Sequence, residues 1–274
     1  MTGTEAMPPG TVVFQSMPEA RQPWVDKCMT TVADWARHHG ADYRTVGDAG
    51  FFAKIPVWVL ERCDTWINPA TDLARLLTAR RLLATYSYAV WVDADVVVWG
   101  GDFLPLPRPL DAAFARERWM EHWPDGRLRF LDNVSNFVCA FAAGGSFLDR
   151  HIADVLAAIR SATGPLKMGV AGTSLLTRGY PRETFELLDG IGNFSPALER
   201  ALATGAADDV WAYEAGLTRP LVAANLCLSH EDRPFQGVAA DAATIPRLVD
   251  TLAARRGPLW PSELIGRKSH VRPA

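Results

Sequence analysis

The 274-residue sequence lacks the features that define several large classes of protein. Its four cysteines are widely separated and include no C-x-x-C pair, so reduced thiols are expected rather than a disulfide framework. No stretch approaches 18 apolar residues, which argues against a membrane-spanning helix. The net charge of −3 gives no electrostatic basis for binding nucleic acid or an anionic membrane.

The first ten residues also lack the basic and then apolar pattern of a signal peptide, so we expect a cytoplasmic protein. An apolar fraction of 49% and a charged fraction of 22% are those of an ordinary globular chain. The abundance of alanine, arginine and glycine is typical of a bacterial source with GC-rich DNA. We predict a flexible N-terminus at 1–10, one domain at 11–260 and a C-terminal tail at 261–274.

Strand and helix patterns alternate through the first third of the chain. This alternation predicts an α/β fold with a mostly parallel central sheet flanked by helices, in which ligands bind beyond the carboxyl ends of the strands. The predicted elements are a strand at 11–15, a helix opened by Pro23 and ended by Gly40, a strand at 42–46, a β-like run or extended loop at 55–60, a helix capped by Thr71 that runs to about Tyr86, and an apolar strand at 89–98.

The remainder of the chain has weaker patterns. The polar, tryptophan-containing stretch 116–132 resembles an insertion or a lid between two strands. Ser146 is predicted to cap a strongly amphipathic helix, with Asp149 as its capping-box partner. The other predicted elements are strands at 112–115 and 137–142, a helix near 183–188, a late strand at 221–228 and a helix at about 243–255.

The most informative segment is the apolar run 89–98, which only Asp93 and Asp95 interrupt. In a strand these two side chains would point to the same face, about 7 Å apart. Buried carboxylates need a partner, and the run contains no basic residue. We therefore predict a divalent cation, Mg²⁺ or Mn²⁺, which commonly also carries substrate phosphates. The alternative is a strand that ends at Asp93, with Asp95 in a solvated turn.

Two further features accompany this pair. Asp72 and Arg75 lie one turn apart near the start of the preceding helix, where they could form a surface ion pair or could face a phosphate or nucleotide-sugar. His230 follows the late predicted strand. It is a candidate third metal ligand, although a single histidine can equally have a structural role.

These residues together resemble a known pattern. The run Thr71-Asp72-Leu73-Ala74-Arg75, then a helix, then Tyr88 to Asp95, is similar to the S-D-x-x-R … Y-x-D-x-D signature of GT-A glycosyltransferases. The similarity is to the mannosyl- and capsular-polysaccharide-type transferases, which are related to the glycogenin-like group, and it covers roughly residues 50–145. The glycine pair that usually precedes the signature follows it here, at Gly100 and Gly101.

The resemblance implies a single Rossmann-like GT-A domain. It also implies a metal-dependent hexosyltransferase that uses Mn²⁺ or Mg²⁺. Such an enzyme transfers a sugar from a UDP- or GDP-sugar donor to a small-molecule or glycan acceptor, with retention of anomeric configuration. Neither nucleic acid nor a membrane segment is expected as a partner.

The resemblance also implies roles for individual residues. Asp93 contacts the nucleoside side of the donor, Asp95 binds the metal, and His230 completes the metal site. Asp72 and Arg75 organise the donor sugar. The remaining implied positions are Asn133 and Asn136, near the sugar hydroxyls, and Gly172-Thr173, which shape the acceptor side.

Two other functions remain open at this point. The run Asp93-Ala94-Asp95-Val96-Val97 also satisfies the D-x-D-x-[TV] pattern of haloacid-dehalogenase phosphohydrolases, in which the first aspartate is a nucleophile. That chemistry needs a downstream acidic pair, and Asp208-Asp209 does not follow an apolar strand. A non-catalytic nucleotide-sugar binder is the other alternative.

Overall fold

In the computed structural model, the structure describes residues 7–17, 19–63, 66–101, 104, 111–123, 125–228 and 243–267. The strands are β1 (Thr11–Met17), β2 (Asp42–Gly47), β3 (Tyr88–Val92), β4 (Val96–Val98), β5 (Ala112–His122), β6 (Leu128–Ala142), β7 (Glu186–Leu188), β8 (Ile191–Asn193) and β9 (Ala223–Asn225). The α-helices are α1 (Pro23–His38), α2 (Asp48–Phe52), α3 (Val57–Arg62), α4 (Asn68–Leu82), α5 (Phe147–Ser161), α6 (Thr173–Gly179), α7 (Pro196–Thr204), α8 (Ala207–Glu214) and α9 (Thr244–Ala253). Short 3₁₀ helices occupy Arg182–Thr184 and Pro261–Ile265.

A six-stranded sheet in the order β2-β1-β3-β6-β5-β7 forms the centre of the fold. Strand β1 is parallel to β2 and β3, and β5 is parallel to β7, whereas β6 is antiparallel to both of its neighbours. A second sheet has the order β4-β9-β8. The predicted α/β fold, with a mostly parallel central sheet flanked by helices, is confirmed.

The two faces of the central sheet are covered by different helices, because side chains alternate along each strand. On β1, Val12 and Phe14 belong to an apolar cluster that includes residues of α4 and α5. Val13 belongs instead to a cluster on the opposite face that includes residues of α1. Val12, Val13 and Phe14 are all fully buried, so β1 is covered on both faces, as expected for a parallel central strand.

Helix α1 matches its sequence pattern closely. It begins at Pro23, whose fixed φ suits the first helical turn, and the chain then turns at Gly40 with φ of +74°. The apolar residues that recur at helical spacing are all buried: Trp24, Val25, Cys28, Met29, Val32, Trp35 and Ala36. The helix therefore packs against the core through the apolar face that its sequence predicts.

Helices α3 and α4, which precede the Asp93–Asp95 segment, differ from the prediction. The run at 55–60 is not β-like, because helix α3 occupies Val57–Arg62 and buries Val59. Helix α4 begins at Asn68, with Pro69 in its first turn, so Thr71 is not its cap. Proline preorganises the first turn, and this effect starts the helix before the threonine.

The second half of the chain departs further from the prediction. The stretch 116–132 is neither an insertion nor a lid, because β5 and β6 pair from Ala112 to His122 as one long antiparallel hairpin. Ser146 directly precedes α5, but its side chain makes no capping hydrogen bond to the helix backbone. Its Oγ donates to Asp111 instead. The predicted helix near 183–188 is a 3₁₀ turn followed by β7, and the late strand is limited to Ala223–Asn225.

Within the part of the chain that the structure describes, no helix combines the length and the apolar character needed to cross a membrane. The 3₁₀ helix at Pro261–Ile265 lies in the segment predicted as a tail. The proposed single-domain boundaries stay a prediction.

Candidate active site

The Asp93-Ala94-Asp95 segment is a turn that connects β3 of the central sheet to β4 of the second sheet. Both aspartates were predicted within one continuous strand, and this prediction was wrong because β3 ends at Val92. The turn is closed by the Val96 N–H, which donates to the Asp93 carbonyl at 3.2 Å. Gln15 Nε2 donates to the same carbonyl at 3.0 Å. Asp95 is nevertheless buried, so it is not the solvated turn residue of the alternative prediction.

A cavity of about 380 Å³ opens at this turn. It lies at the carboxyl ends of β1 and β3, which contribute Ser16 and the residues that follow Val92, as predicted for an α/β sheet. Helix α4, the β5–β6 hairpin and the ends of β8 and β9 also line the cavity. Two different sets of hydrogen-bonded polar side chains lie in this lining.

We call the first set the carboxylate wall; it consists of Asp72, Arg75, Asp93 and Asp95. Arg75 is buried and lies 3.4 Å from Asp72 Oδ1 and 3.3 Å from Asp93 Oδ1. Its guanidinium carbon also lies 4.9 Å from the centre of the Trp91 ring. The ion pair between Asp72 and Arg75 is thus an internal one that extends to the D-x-D turn, and not a surface pair.

Hydrogen bonds with Asn136 and Trp91, together with the close approach of Gly172, hold these side chains in place. Asn136 Nδ2 donates to Asp72 Oδ1 at 2.8 Å, and Arg75 Nη1 donates to the Asn136 carbonyl at 2.5 Å. Trp91 Nε1 donates to Asp93 Oδ1 at 2.5 Å. Gly172 approaches so closely that an added Cβ would lie 2.7 Å from Asp72 Oδ2. The position of Asp72 therefore depends on three separate elements.

Burial dominates the electrostatics of the carboxylate wall. It raises the pKa of Asp72 to about 6, against the opposing effects of Arg75 and Asn136. Burial and then the negative charge of Asp93 raise the pKa of Asp95 to about 7, although the Leu228 N–H donates to Asp95 Oδ2 at 2.7 Å. Burial also raises the pKa of Asp93, with Arg75 and the Trp91 N–H opposing it. One arginine does not neutralise these three carboxylates, of which Asp72 and Asp95 are buried and Asp93 is partly buried.

The second set lies mostly on the hairpin and on β8 and β9. We call it the amide wall; it consists of Glu117, Asn133, Ser135, Asn193 and Asn225. Glu117 accepts from Asn133 Nδ2 at 2.7 Å and from Asn193 Nδ2 at 2.6 Å, one amide at each carboxylate oxygen. Burial raises the pKa of Glu117, and these amides together with Ser135 oppose the rise. The wall therefore holds its carboxylate with neutral donors.

The cavity as a whole has an excess of negative groups. Its described lining includes five carboxyl groups and a single cationic side chain, Arg75. The five are Asp72, Asp93, Asp95, Glu117 and Glu121. Among the described residues there is no group of three or more His, Cys, Asp or Glu side chains arranged as a metal site. The carboxylate donors that are present, Asp93 and Asp95, are of the type that Mg²⁺ and Mn²⁺ prefer.

The structure brings most of the sequence-predicted site residues to this one cavity, and the lining includes Asp72, Arg75, Asp93, Asp95, Asn133 and Asn136. His230 lies outside the described residues. Thr173 also lines the cavity, and its Oγ1 lies 3.2 Å from Ser135 Oγ.

Sequence reasoning missed Glu117, Asn193 and Asn225. One signal for Glu117 was present in the sequence: Glu117, Trp119 and Glu121 recur at every second position, which is the spacing of one face of a strand. Asn193 and Asn225 come from strands of three residues, which are too short to show any period.

Comparisons with known proteins give structural similarities alone. No protein-family model matches the chain, and neither does any curated protein. A glycosyltransferase involved in glycosylation of the major capsid of PBCV-1 superposes with a TM-score of 0.47 at 11% identity, over 89% of this chain and 100% of that one. Mouse xyloside xylosyltransferase 1 gives 0.48 at 10% identity, over 80% and 98%. The galactosyltransferase LgtC gives 0.45 at 12% identity, over 89% and 96%.

Proposed function

We propose that this chain is a metal-dependent GT-A glycosyltransferase that transfers a hexose from a UDP- or GDP-sugar to a hydroxyl group. The observation that carries the proposal is the charge of the cavity, with five carboxyl groups and one arginine in its described lining. A nucleoside diphosphate is itself an anion, so such a cavity repels it. A divalent cation bound between the cavity carboxylates and the diphosphate would relieve this repulsion.

The residues that would hold the cation are Asp93 and Asp95, with His230 as the third ligand proposed from the sequence resemblance. Both aspartates have raised pKa values because they are buried together, and a cation would stabilise their ionised forms. When bound, the metal supplies a Lewis acid that stabilises the charge on the departing nucleoside diphosphate.

The other residues of the carboxylate wall organise the donor. Arg75 pairs with Asp93 through Nη1 and with Asp72 through Nη2, so it links the D-x-D turn to helix α4. Asp72 and Asn136 form a hydrogen-bonded pair in the lining, suited to binding sugar hydroxyls. In the transfer step the C1–O bond to the diphosphate breaks and a C1–O bond to the acceptor oxygen forms, while the hydroxyl proton leaves with the diphosphate. From the resemblance we propose retention of configuration.

The phosphohydrolase alternative receives less support from the geometry. It needs a second acidic pair beside the first aspartate, and the candidates Asp208 and Asp209 lie in helix α8. Neither is among the residues that line the cavity, and Asp209 faces His122, with its Oδ2 3.7 Å from Nε2.

Hydrolysis of the donor in the absence of an acceptor tests the proposal. Purified protein would be incubated with UDP-glucose, UDP-galactose or GDP-mannose, with and without Mn²⁺, and the nucleotide release would be measured. We expect slow, Mn²⁺-dependent release from at least one donor. Asp95→Asn should lower this release at least 100-fold because it removes one anionic ligand, and Asp209→Asn, the same change on α8, should stay within twofold of the unmodified protein.

Three outcomes would reject the proposal or redirect it. Release by Asp95→Asn at the rate of the unmodified protein would exclude the metal role. Cleavage of p-nitrophenyl phosphate without donor hydrolysis would indicate the phosphohydrolase. Tight, Mn²⁺-dependent binding of UDP without any hydrolysis would indicate a non-catalytic binder.

A further inference from the structure

The cavity is lined by more side-chain amides than the proposed donor site uses. The sequence has five asparagines, and every one of them lines this cavity: Asn68, Asn133, Asn136, Asn193 and Asn225. Side-chain amides offer both a donor and an acceptor, which suits the recognition of hydroxyl groups. Their concentration at one site indicates that the cavity binds more hydroxyl-bearing surface than a nucleoside diphosphate presents.

The orientation of the amide wall follows from Glu117. An ionised carboxylate only accepts hydrogen bonds, so Asn193 must direct its Nδ2 to Glu117, at 2.6 Å. Asn193 Oδ1 is then left as an acceptor, and Asn225 Nδ2 donates to it at 3.0 Å. Cys227 Sγ also lies 3.0 Å from Asn193 Oδ1. This series of bonds leaves Asn225 Oδ1 as the terminal acceptor.

Asn225 Oδ1 has no hydrogen-bond partner among the residues that the structure describes. The side chain belongs to a residue that is 7% exposed, and it lines the cavity. A buried polar atom without a partner carries an energetic penalty, which a ligand can remove by donating a hydrogen bond. The group that fits must carry an O–H or N–H.

We propose that the amide wall is the acceptor subsite, and that it binds an uncharged hydroxyl compound whose O–H donates to Asn225 Oδ1. This inference rests on the proposed function and specifies its second substrate. The donor is assigned to Asp72, Arg75 and Asn136, which contact one another, and Arg75 also pairs with Asp93. Glu117, Asn193 and Asn225 form a separate hydrogen-bonded series in the same cavity, which leaves them for the acceptor.

The charge and shape of the wall specify the acceptor further. Glu117 is buried there and bonded to neutral amides, so a carboxylated or phosphorylated acceptor would be repelled, whereas Glu121 pairs with Arg129 at 3.5 Å. The described lining offers no cation on this side, since Arg75 already contacts Asp72 and Asp93. Trp119 lies between the two glutamates along β5 and gives an apolar surface for the carbon face of a sugar ring. A neutral glycoside satisfies all three constraints.

Two measurements on the unmodified protein test this inference. Donor hydrolysis with Mn²⁺ is measured first, and its absence would reject the proposed function itself. Methyl β-D-glucoside, methyl β-D-galactoside and methyl α-D-mannoside are then compared with methyl β-D-glucuronoside as acceptors. We expect at least one neutral glycoside to be used with a kcat/KM at least tenfold above that of the glucuronoside. Equal use of the charged and neutral compounds, or no use of any neutral glycoside, would overturn the acceptor assignment.

Asn225→Leu then tests the residue. It removes the open acceptor at similar volume, and Leu226→Val, a change at the neighbouring buried residue that does not line the cavity, is the control for loss of stability. We expect Asn225→Leu to reduce kcat/KM for transfer at least tenfold more than for donor hydrolysis, mainly through KM of the glycoside. The control should not change this ratio.

An equal fall in both activities, or no fall in either, would overturn the assignment of Asn225 to the acceptor. If Asn225→Leu does not fold, the comparison of neutral and charged glycosides still decides whether the wall is an acceptor subsite.

Discussion

The two walls of the cavity hold buried carboxylates in different ways. In the carboxylate wall, Asp72 and Asp93 depend on the charge of Arg75, and Asp95 is held by a backbone N–H. In the amide wall, Glu117 has one neutral amide at each oxygen. The first arrangement leaves negative charge to be balanced by a ligand. The second fixes the direction of each hydrogen bond and leaves one acceptor open, so one wall suits a cation and the other a hydroxyl.

The largest loss of stability is expected when Arg75, the only cation in the described lining, is removed. Arg75→Met should lower the free energy of unfolding of the metal-free protein by about 3–5 kcal/mol at pH 8, because the buried Asp72 and the partly buried Asp93 then lose their countercharge. Urea denaturation measures this change. Arg80→Gln removes an exposed arginine that pairs with Asp149 at 3.5 Å, and should cost about 0–1 kcal/mol. A loss below about 1 kcal/mol for Arg75→Met would mean that the two aspartates do not depend on it.

A smaller effect is expected from the backbone that supports Asp72. Gly172→Ala places a Cβ 2.7 Å from Asp72 Oδ2, so a buried and hydrogen-bonded side chain must shift, at a cost of about 2 kcal/mol. Thermal unfolding would show the loss. Gly50→Ala is the control, since its Cβ meets only Val46 at 3.5 Å and the residue lies in helix α2, where alanine is favoured. Equal stability of the two variants would show that Asp72 adapts freely.

The smallest effect is expected in the amide wall. Glu117→Gln turns one acceptor oxygen into a donor that faces an asparagine amide, and it also removes a buried charge, so we expect a net loss of about 1 kcal/mol. Asn193 and Asn225 can then reverse their amides, which limits the loss of stability. The reversal also removes the acceptor oxygen from the proposed subsite, so KM for a neutral acceptor should rise. Urea denaturation and acceptor kinetics on the same variant separate the two effects. A loss as large as that of Arg75→Met would show that both walls depend on charge.

Local patterns predicted the part of the fold that lies near the carboxylate wall. The single apolar face of α1 and the alternating faces of β1 and β3 determine the parallel half of the sheet. Asp72, Arg75, Asp93 and Asp95 lie close together in sequence on either side of one helix-to-strand connection. Their convergence could therefore be inferred without long-range information.

The amide wall could not be predicted in the same way, because its residues come from strands far apart in the sequence. Glu117 lies on β5, Asn193 on β8 and Asn225 on β9, and only tertiary packing brings them together. The polar alternation of the β5–β6 hairpin resembled that of an exposed insertion, since the side chains that face the cavity are themselves polar. The close approach of Gly172 to Asp72 likewise has no sequence signal.

Calorimetric titration of Mn²⁺ in two buffers of different ionisation enthalpy would show whether the D-x-D turn binds a divalent cation. Burial raises the pKa of Asp95 to about 7, so at pH 6 the group is mostly protonated and must lose its proton to bind a metal. We predict Mn²⁺ binding with release of close to one proton at pH 6, much less release at pH 8, and loss of binding in Asp95→Asn but not in Asp209→Asn. Failure to bind Mn²⁺, or equal binding by Asp95→Asn, would contradict the proposed metal role.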